Sequence, residues 1–440
     1  MKKRKIFLRV LLYSLALVTI VLMVRAYFNY RMGNKLEEYL GKRQAEGVLL
    51  SRKPLISDCE NAENGAILWK AAEPLVLYEG GNFKLLSEAF ENFFYDKPLE
   101  PGVREELKEM IRENQRVFEL MKEASEKTCF LYGDRNKKMN EIRIPDMPKM
   151  INAIRLVGID AVFKAEEGKI EEAIHQIQWG MRFVRKTMDE SCLITGLVAV
   201  ANMKYLQFSL EQITCGRTVD PAILRTLIQE LNPVQWRKTF VKGIQGERIF
   251  FLDYALAFLA GDRDVLDFKL GETIFSWFIH PLTKSEILWT LKKFDEVESA
   301  SLLPFHKAQE FRKSLSTDTD TMPWYFSIAK DLFPNFQHAW LKEAILEALM
   351  GGGQIALACK IYKNQEGCWP ENIGELVPDI LEKEPLDPFT DDPFIYKLQE
   401  DGFIVYSVGS NEKDNDGRGT FQVTKLIMEK DDDWAWRERE

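Results

Sequence analysis

The sequence predicts a mostly α-helical protein in three parts: an N-terminal transmembrane helix over residues 1–30, an all-helical domain over 31–330, and a small α+β module over 331–440. Three observations predict it. An uncharged apolar run follows a basic cluster at the N-terminus, and apolar residues recur at helical spacing through most of the chain. Only the C-terminal part alternates at strand period between turn residues. With 46% hydrophobic and 29% charged residues, 440 positions suffice for two or three cores and are too apolar for disorder.

Lys2, Lys3, Arg4, Lys5 and Arg9 precede the run Val10 to Val24, and Arg25 closes it. Counted back to Ile6, with Arg9 snorkelling, the run is 19 residues long. That is close to the roughly 20 needed to cross the hydrocarbon core. The basic flank sets the N-terminus in the cytoplasm and everything after Arg25 beyond the inner membrane, on the periplasmic side. Val24-Arg25-Ala26 also offers a signal-peptide cleavage site; the length of the run and the interfacial Tyr27, Phe28 and Tyr30 favour an uncleaved anchor. Setting aside the six basic residues of this segment takes the net charge from −9 to −15. So acidic a body repels phosphate backbones, which argues against nucleic acid as a partner; solubility is reason enough for the charge.

Six cysteines stand at 59, 129, 192, 215, 359 and 368, without a Cys-x-x-Cys pair, so zinc-knuckle and thioredoxin spacings are excluded. An oxidising compartment permits disulfides, and Cys359 with Cys368 are the near neighbours to consider; buried free thiols are the alternative.

In the helical domain, Gly102 to Lys127 carries Val103, Leu107, Met110, Val117 and Met121 on one stripe, opened by Pro101-Gly102. Tyr132 to Met147 interrupts the pattern. Ile151 to Glu166 and Ile170 to Met188 form a hairpin about Gly168, in which Ala161 and Ala173 allow close approach; it resembles one tetratricopeptide-like unit, with no second copy in register. Further helices fit Leu193 to Thr214, Pro221 to Leu231 behind the capping Asp220, Val234 to Leu259, and Lys284 to Val297. Breaks are expected at Gly261-Asp262, His280-Pro281 and Leu303-Pro304, and a linker at Ser314 to Thr321. Glu247 and Arg248, on an otherwise apolar helix running to Phe258, are expected in a buried ion pair to another helix; a binding pocket there is the alternative.

The C-terminal module begins near Phe336 with a helix through Lys363. Gly351 to Gly353 lie inside it. Each glycine costs about 1 kcal/mol relative to alanine there, so the helix either kinks or packs closely against another backbone. Strands fit Phe394 to Leu398 and Phe403 to Val408, joined through Asp401-Gly402, and a short final strand fits Trp434-Ala435-Trp436.

The order Gly367-Cys368-Trp369-Pro370, Glu375-Leu376-Val377-Pro378, Asp387-Pro388-Phe389 and Tyr406-Ser407-Val408-Gly409 resembles the globular part of the major pseudopilin of type II secretion systems. The resemblance covers about the last quarter of the chain and implies a long helix followed by an antiparallel hairpin. The whole layout is similar to membrane-anchored bacterial proteins of planctomycete-like lineages that join a helical region to such an end. Two departures stand out. No leader ending in Gly-Phe with a Glu in the apolar helix is present, and about 300 residues separate anchor and pseudopilin-like helix, which speaks against an ordinary pseudopilus subunit.

Asn411, Asp414 and Asp416 offer hard oxygen ligands where that family often holds calcium, so calcium is the candidate cofactor; a solvated turn is the plain alternative. The loop is not an EF-hand, because Val423 falls where the twelfth-position glutamate belongs. Asp391 and Asp392 read as turn caps and Asp431 to Asp433 as exposed chain. His175, His280, His306 and His338 share no metal spacing, Glu166/Glu167 and Glu171/Glu172 diverge on their helices, and no nucleophile elbow, Walker loop or dinucleotide fingerprint occurs. No catalytic residue is assigned. The expectation is a membrane-anchored extracytoplasmic scaffold or adaptor with a protein partner in the cell envelope, linked to secretion-type assemblies. The alternative is an extracytoplasmic hydrolase whose site assembles from scattered residues.

Overall fold

The apolar N-terminal run does not end at the expected membrane boundary but continues as one helix, α1, over Lys2–Ala45. The computed structural model describes residues 2–439 except 56–57, 78–79, 95–96, 135, 139–140, 263–269 and 419–432. A helix of this length spans about 65 Å at 1.5 Å per residue, so its first half can cross a membrane while its second half packs on protein.

After α1 come α2 (Arg52–Leu55), α3 (Gly65–Ala72), α4 (Gly80–Phe94), α5 (Pro101–Glu113) and α6 (Gln115–Glu126). The single helix expected over 102–127 is thus two, divided at Asn114, whose side-chain amide donates to the carbonyl of Met110. The hairpin follows as α7 (Met147–Glu166) and α8 (Ile170–Thr187), turning on Gly168 at φ +84, with Ala161 and Ala173 fully buried. Next are α9 (Leu193–Thr214), α10 (Pro221–Glu230), which Asp220 caps through the amide of Ala222, and α11 (Pro233–Ala260).

Two expected breaks are helical instead. Pro281 lies inside α12 (Leu270–Ser301), and the expected linker lies inside α13 (Gln309–Asp320), where Leu315 is buried. Packing against neighbouring helices overrides both local signals. Short α14 (Ser327–Leu332) leads into α15 (Phe336–Glu366), which ends at Gly367 with φ +79. The chain closes with a three-stranded antiparallel sheet in the order β1 (Ile395–Gln399), β2 (Gly402–Ser407), β3 (Trp434–Arg439).

Two cores result. The distal core joins α3 to α10 with the later part of α15 and the sheet, so the hydrophobic interior is continuous across residue 331. The anchor-side core joins Leu36 of α1 to α11, α12, α13, α14 and the start of α15. Helix α15 passes from one to the other as a single uninterrupted helix, and its glycines make room for the side chains packed on them. A Cβ on Gly351 would stand 2.8 Å from the ring of Phe394, and one on Gly353 3.1 Å from Leu231.

The cysteines pair otherwise than by proximity. Cys59 and Cys129, 70 residues apart, form the disulfide; Cys359 is a buried free thiol on α15 and Cys368 an exposed one beyond it. Sequence spacing could not show this, because the pairing depends on α3 and α6 lying side by side.

Candidate functional site

Two regions of the C-terminal end gather polar side chains. The first is the acidic loop after β2. Asp387, buried in the Asp-Pro-Phe turn, accepts from the amides of Phe389 (3.0 Å) and Val408 (2.9 Å) and from the hydroxyl of Ser407 (2.9 Å). It thereby fixes the point at which the chain leaves β2. Burial pushes its carboxyl upward against these three bonds.

Beyond it, Asp414 accepts from the hydroxyl of Tyr406 and the amide of Asp416, both at 2.8 Å. Lys397 of β1 reaches Asp416 at 3.0 Å and Asp414 at 3.6 Å. The Tyr406 bond above all, with the Asp416 amide and Lys397, holds the Asp414 carboxyl below its ordinary range. Asn411 accepts from the amide of Lys413 at 3.0 Å. The three residues expected to bind calcium therefore engage the loop's own amides, a tyrosine and a lysine. Among the described residues, no group of three or more His, Cys, Asp or Glu is arranged to hold a metal ion.

The organiser of the loop is Asp433. Its carboxylate accepts from the amides of Asn415 (2.9 Å) and Gly417 (2.8 Å). It was expected in an exposed acidic run; it is buried instead, because β3 pairs with β2 immediately after it and carries it under the loop. Asp431 and Asp432 lie outside the described residues. Asp391, at φ +68, turns its carboxylate away to His306 at 3.2 Å, and the turn is capped not by the aspartates but by the hydroxyl of Thr390, which takes the amide of Asp392.

The second region is a cleft along the C-terminal half of α9. Its inner part, about 110 Å³, is lined by Phe93, Phe208, Glu211, Cys215, Arg437 and Arg439. An open outer part of about 470 Å³ continues past Gln212 to Lys97, Arg104 and Arg217. Glu211 accepts from the amide of Arg437 at 2.9 Å, and burial raises its carboxyl to about 7. A group poised there can hold or release a proton near neutrality. Behind it, the buried pair Lys360–Glu438 ties α15 to β3, and Glu438 also accepts from the amide of Gly216 at 2.9 Å at the end of α9. Arg437 donates back to the carbonyl of Gly417, which joins the cleft to the acidic loop.

Glu211 carried one signal in the sequence: with Lys204 it is the only charged residue in α9. A lone acid near the end of an apolar helix is poor evidence by itself, and its partners on β3 lie more than two hundred residues away.

No family model, no curated protein and no solved structure matches this chain. The carboxylates flanking the α7–α8 turn diverge as expected: Glu166 pairs with Arg104 of α5, and Glu167 with Lys169 at 2.8 Å.

Proposed function

We propose that this protein is a membrane-anchored extracytoplasmic scaffold or adaptor that holds a rigid helical body at a fixed height and orientation for a protein partner in the cell envelope. The observation that carries the reading is α1. Among the described residues three helices are long and apolar enough to cross a membrane, but α9 and α15 are largely buried, whereas the apolar stretch of α1 is not buried. The same helix then enters the anchor-side core at Leu36 and is locked there by Arg43 and Tyr39, both bonded to Asp295. An anchor continuous with the body transmits orientation, which a flexible tether does not.

The Cys59–Cys129 disulfide supports an oxidising, extracytoplasmic compartment. The α7–α8 hairpin, in this reading, is a single tetratricopeptide-like unit, and the α15-to-β3 end is pseudopilin-like. The test has two parts. Protease added to spheroplasts digests the body and spares the anchor, and in-cell crosslinking of the intact chain recovers one reproducible partner. Full protection of the body would remove the topology, and absence of any partner in repeated crosslinking would remove the adaptor.

One observation favours the hydrolase as a second reading: Glu211, with its raised carboxyl, on the wall of a cleft. Turnover on a panel of ester, peptide and glycoside substrates, lost in Glu211→Gln, is its test; no turnover by the parent chain sinks it.

A further inference from the structure

The cleft along α9 carries a charge opposite to that of the molecule around it. The chain has a net charge of −9, yet five cations and only two carboxylates line the inner and outer parts of this cleft. Lys97 and Arg104 come from the start of α5 and the turn before it, Arg217 from just beyond α9, and Arg437 and Arg439 from β3. Only the assembled fold brings these three stretches together. A cleft of one sign in a body of the other concentrates the field and draws in the opposite charge.

The two carboxylates do not offset the cations. Glu166 is taken up by Arg104. Glu211 accepts from the backbone amide of Arg437, not from a guanidinium, and burial favours its neutral form. Arg217 and Arg437 have no ion pair among the described residues. Arg217 donates through Nη1 to the carbonyls of Gln212 (2.6 Å) and Ile213 (3.1 Å) at the end of α9, and Arg437 donates to the carbonyl of Gly417. A guanidinium carries several N–H donors in a fixed fork, so each arginine keeps donors for a further acceptor. Arg437 is also partly desolvated, and Arg439, two residues on along the same strand face, repels it; both effects lower its pKa. An anion entering the cleft relieves both.

The spread of the charges sets the shape of the ligand. Arg437 and Arg439 face the inner part, where Phe93 and Phe208 form an apolar floor; Lys97, Arg104 and Arg217 face the open outer part. A single phosphate is held by donors that converge on one point. Cations strung along a cleft around an apolar floor match carboxylates spaced along an extended chain. The outer part is also too open to enclose a small molecule in the way such sites do.

We propose that the cleft between α9 and β3 is the docking site for an acidic peptide segment of the protein partner, its carboxylates on Arg217, Arg437 and the flanking cations and an apolar side chain over Phe93 and Phe208. The proposal rests on the adaptor reading and names the chemistry of the partner.

Titration calorimetry on the full chain in a neutral detergent tests it. The probe is a capped peptide of four glutamates flanking one central phenylalanine. The expected result is one-to-one binding that weakens about tenfold in Arg437→Gln and in Arg217→Gln. Binding should keep its parent value in Arg116→Gln, which removes an exposed cation of α6 outside the cleft. Only variants with the parent melting temperature are scored; where either cleft variant melts early, Arg439→Gln, at an exposed position, takes its place with the same expected loss. No binding of the peptide, equal weakening in Arg116→Gln, or citrate binding as tightly as the peptide overturns the proposal. The adaptor reading is judged separately by in-cell crosslinking: a partner recovered there while the peptide fails to bind removes the cleft and leaves the adaptor standing.

Discussion

Beside α1, the anchor-side core gathers its charges on one face, whereas the distal core spreads its buried charges over separate pairs. In the first, Arg248 of α11 meets Asp295 and Glu298 of α12, and Asp295 also takes Arg43 and Tyr39 from α1. Its carboxylates remain partly exposed. In the second, Arg52 and Glu190 form a fully buried pair, and Glu190 also accepts from the amides of Tyr132 (2.8 Å) and Gly133 (3.3 Å). The difference teaches what each core is for. A shared, half-wet network lets three helices be tied at one point where the anchor enters. The dry pair, with the Arg52 guanidinium also donating to the carbonyl of Asp134, specifies one arrangement of the segment after Cys129.

The largest expected effect follows from the dry pair. Glu190→Ala leaves the Arg52 guanidinium buried without its counter-charge, held only by the carbonyl of Asp134, and two amides without their acceptor; breaking such a pair costs about 3–5 kcal/mol. Chemical denaturation measures it, and amide exchange should speed up in α8, α9 and the part of α11 packed against α2 and Met188–Glu190, while α1 and α12 stay protected. Arg248→Met is the counterpart. Asp295 keeps Arg43 and Tyr39, and both freed carboxylates reach water, so the loss should be about 2 kcal/mol and confined to α1, α11 and α12. Equal losses, or exchange spreading through both cores in either variant, would break the distinction.

Much of the fold was legible because local and long-range signals agreed. The apolar run of α1, the glycine turns at Gly168 and Gly367, the cap at Asp220 and the alternation of β1 and β2 all fold as their sequence indicates. Of the two charged neighbours expected in an ion pair, Arg248 meets Asp295 and Glu298 of α12, whereas Glu247 instead accepts from the amide of Leu193 at 3.0 Å. The misses share one cause. Pro281, the polar run of α13, Cys59–Cys129, Asp433 and Glu211 are each decided by a partner far away in the chain, which neither periodicity nor turn chemistry reports. The acidic loop was found, but not its interior: Lys397 and Asp433 approach it only once the sheet is assembled.

Helix α15 belongs to both cores, and its glycines separate them further. Gly351→Ala gains about 1 kcal/mol of helix propensity but drives a methyl into the Phe394 ring, an overpacking of about 1–3 kcal/mol, so the net change should be a loss of roughly 1 kcal/mol. At Gly352 the same ring is 3.8 Å away, and alanine should raise stability by about 0.5–1 kcal/mol. Thermal melting of the two variants should therefore shift in opposite directions. Two shifts of the same sign would mean that close packing is not what the distal half of α15 requires.

A last comparison sets two carboxyls, one in each core, against each other through pH. Glu286 of the anchor-side core accepts from the amide of Ala329 at 2.6 Å, and Glu211 of the distal core from that of Arg437; burial raises each to about 7. A carboxyl whose folded pKa lies above its unfolded value favours the protonated folded state. Its contribution is thus fully present below the ordinary glutamate range and is lost as pH rises through about 7. Stability of the parent should decline by about 1–2 kcal/mol per site between pH 5 and pH 8. Each Glu→Gln removes its own site's share of the slope, and the share lost should be larger for the buried Glu286 than for Glu211, which borders an open cleft. Denaturation midpoints at the two pH values decide it: an unchanged slope in Glu286→Gln would show that the anchor-side core keeps that carboxyl ionised and met by the α14 amides alone.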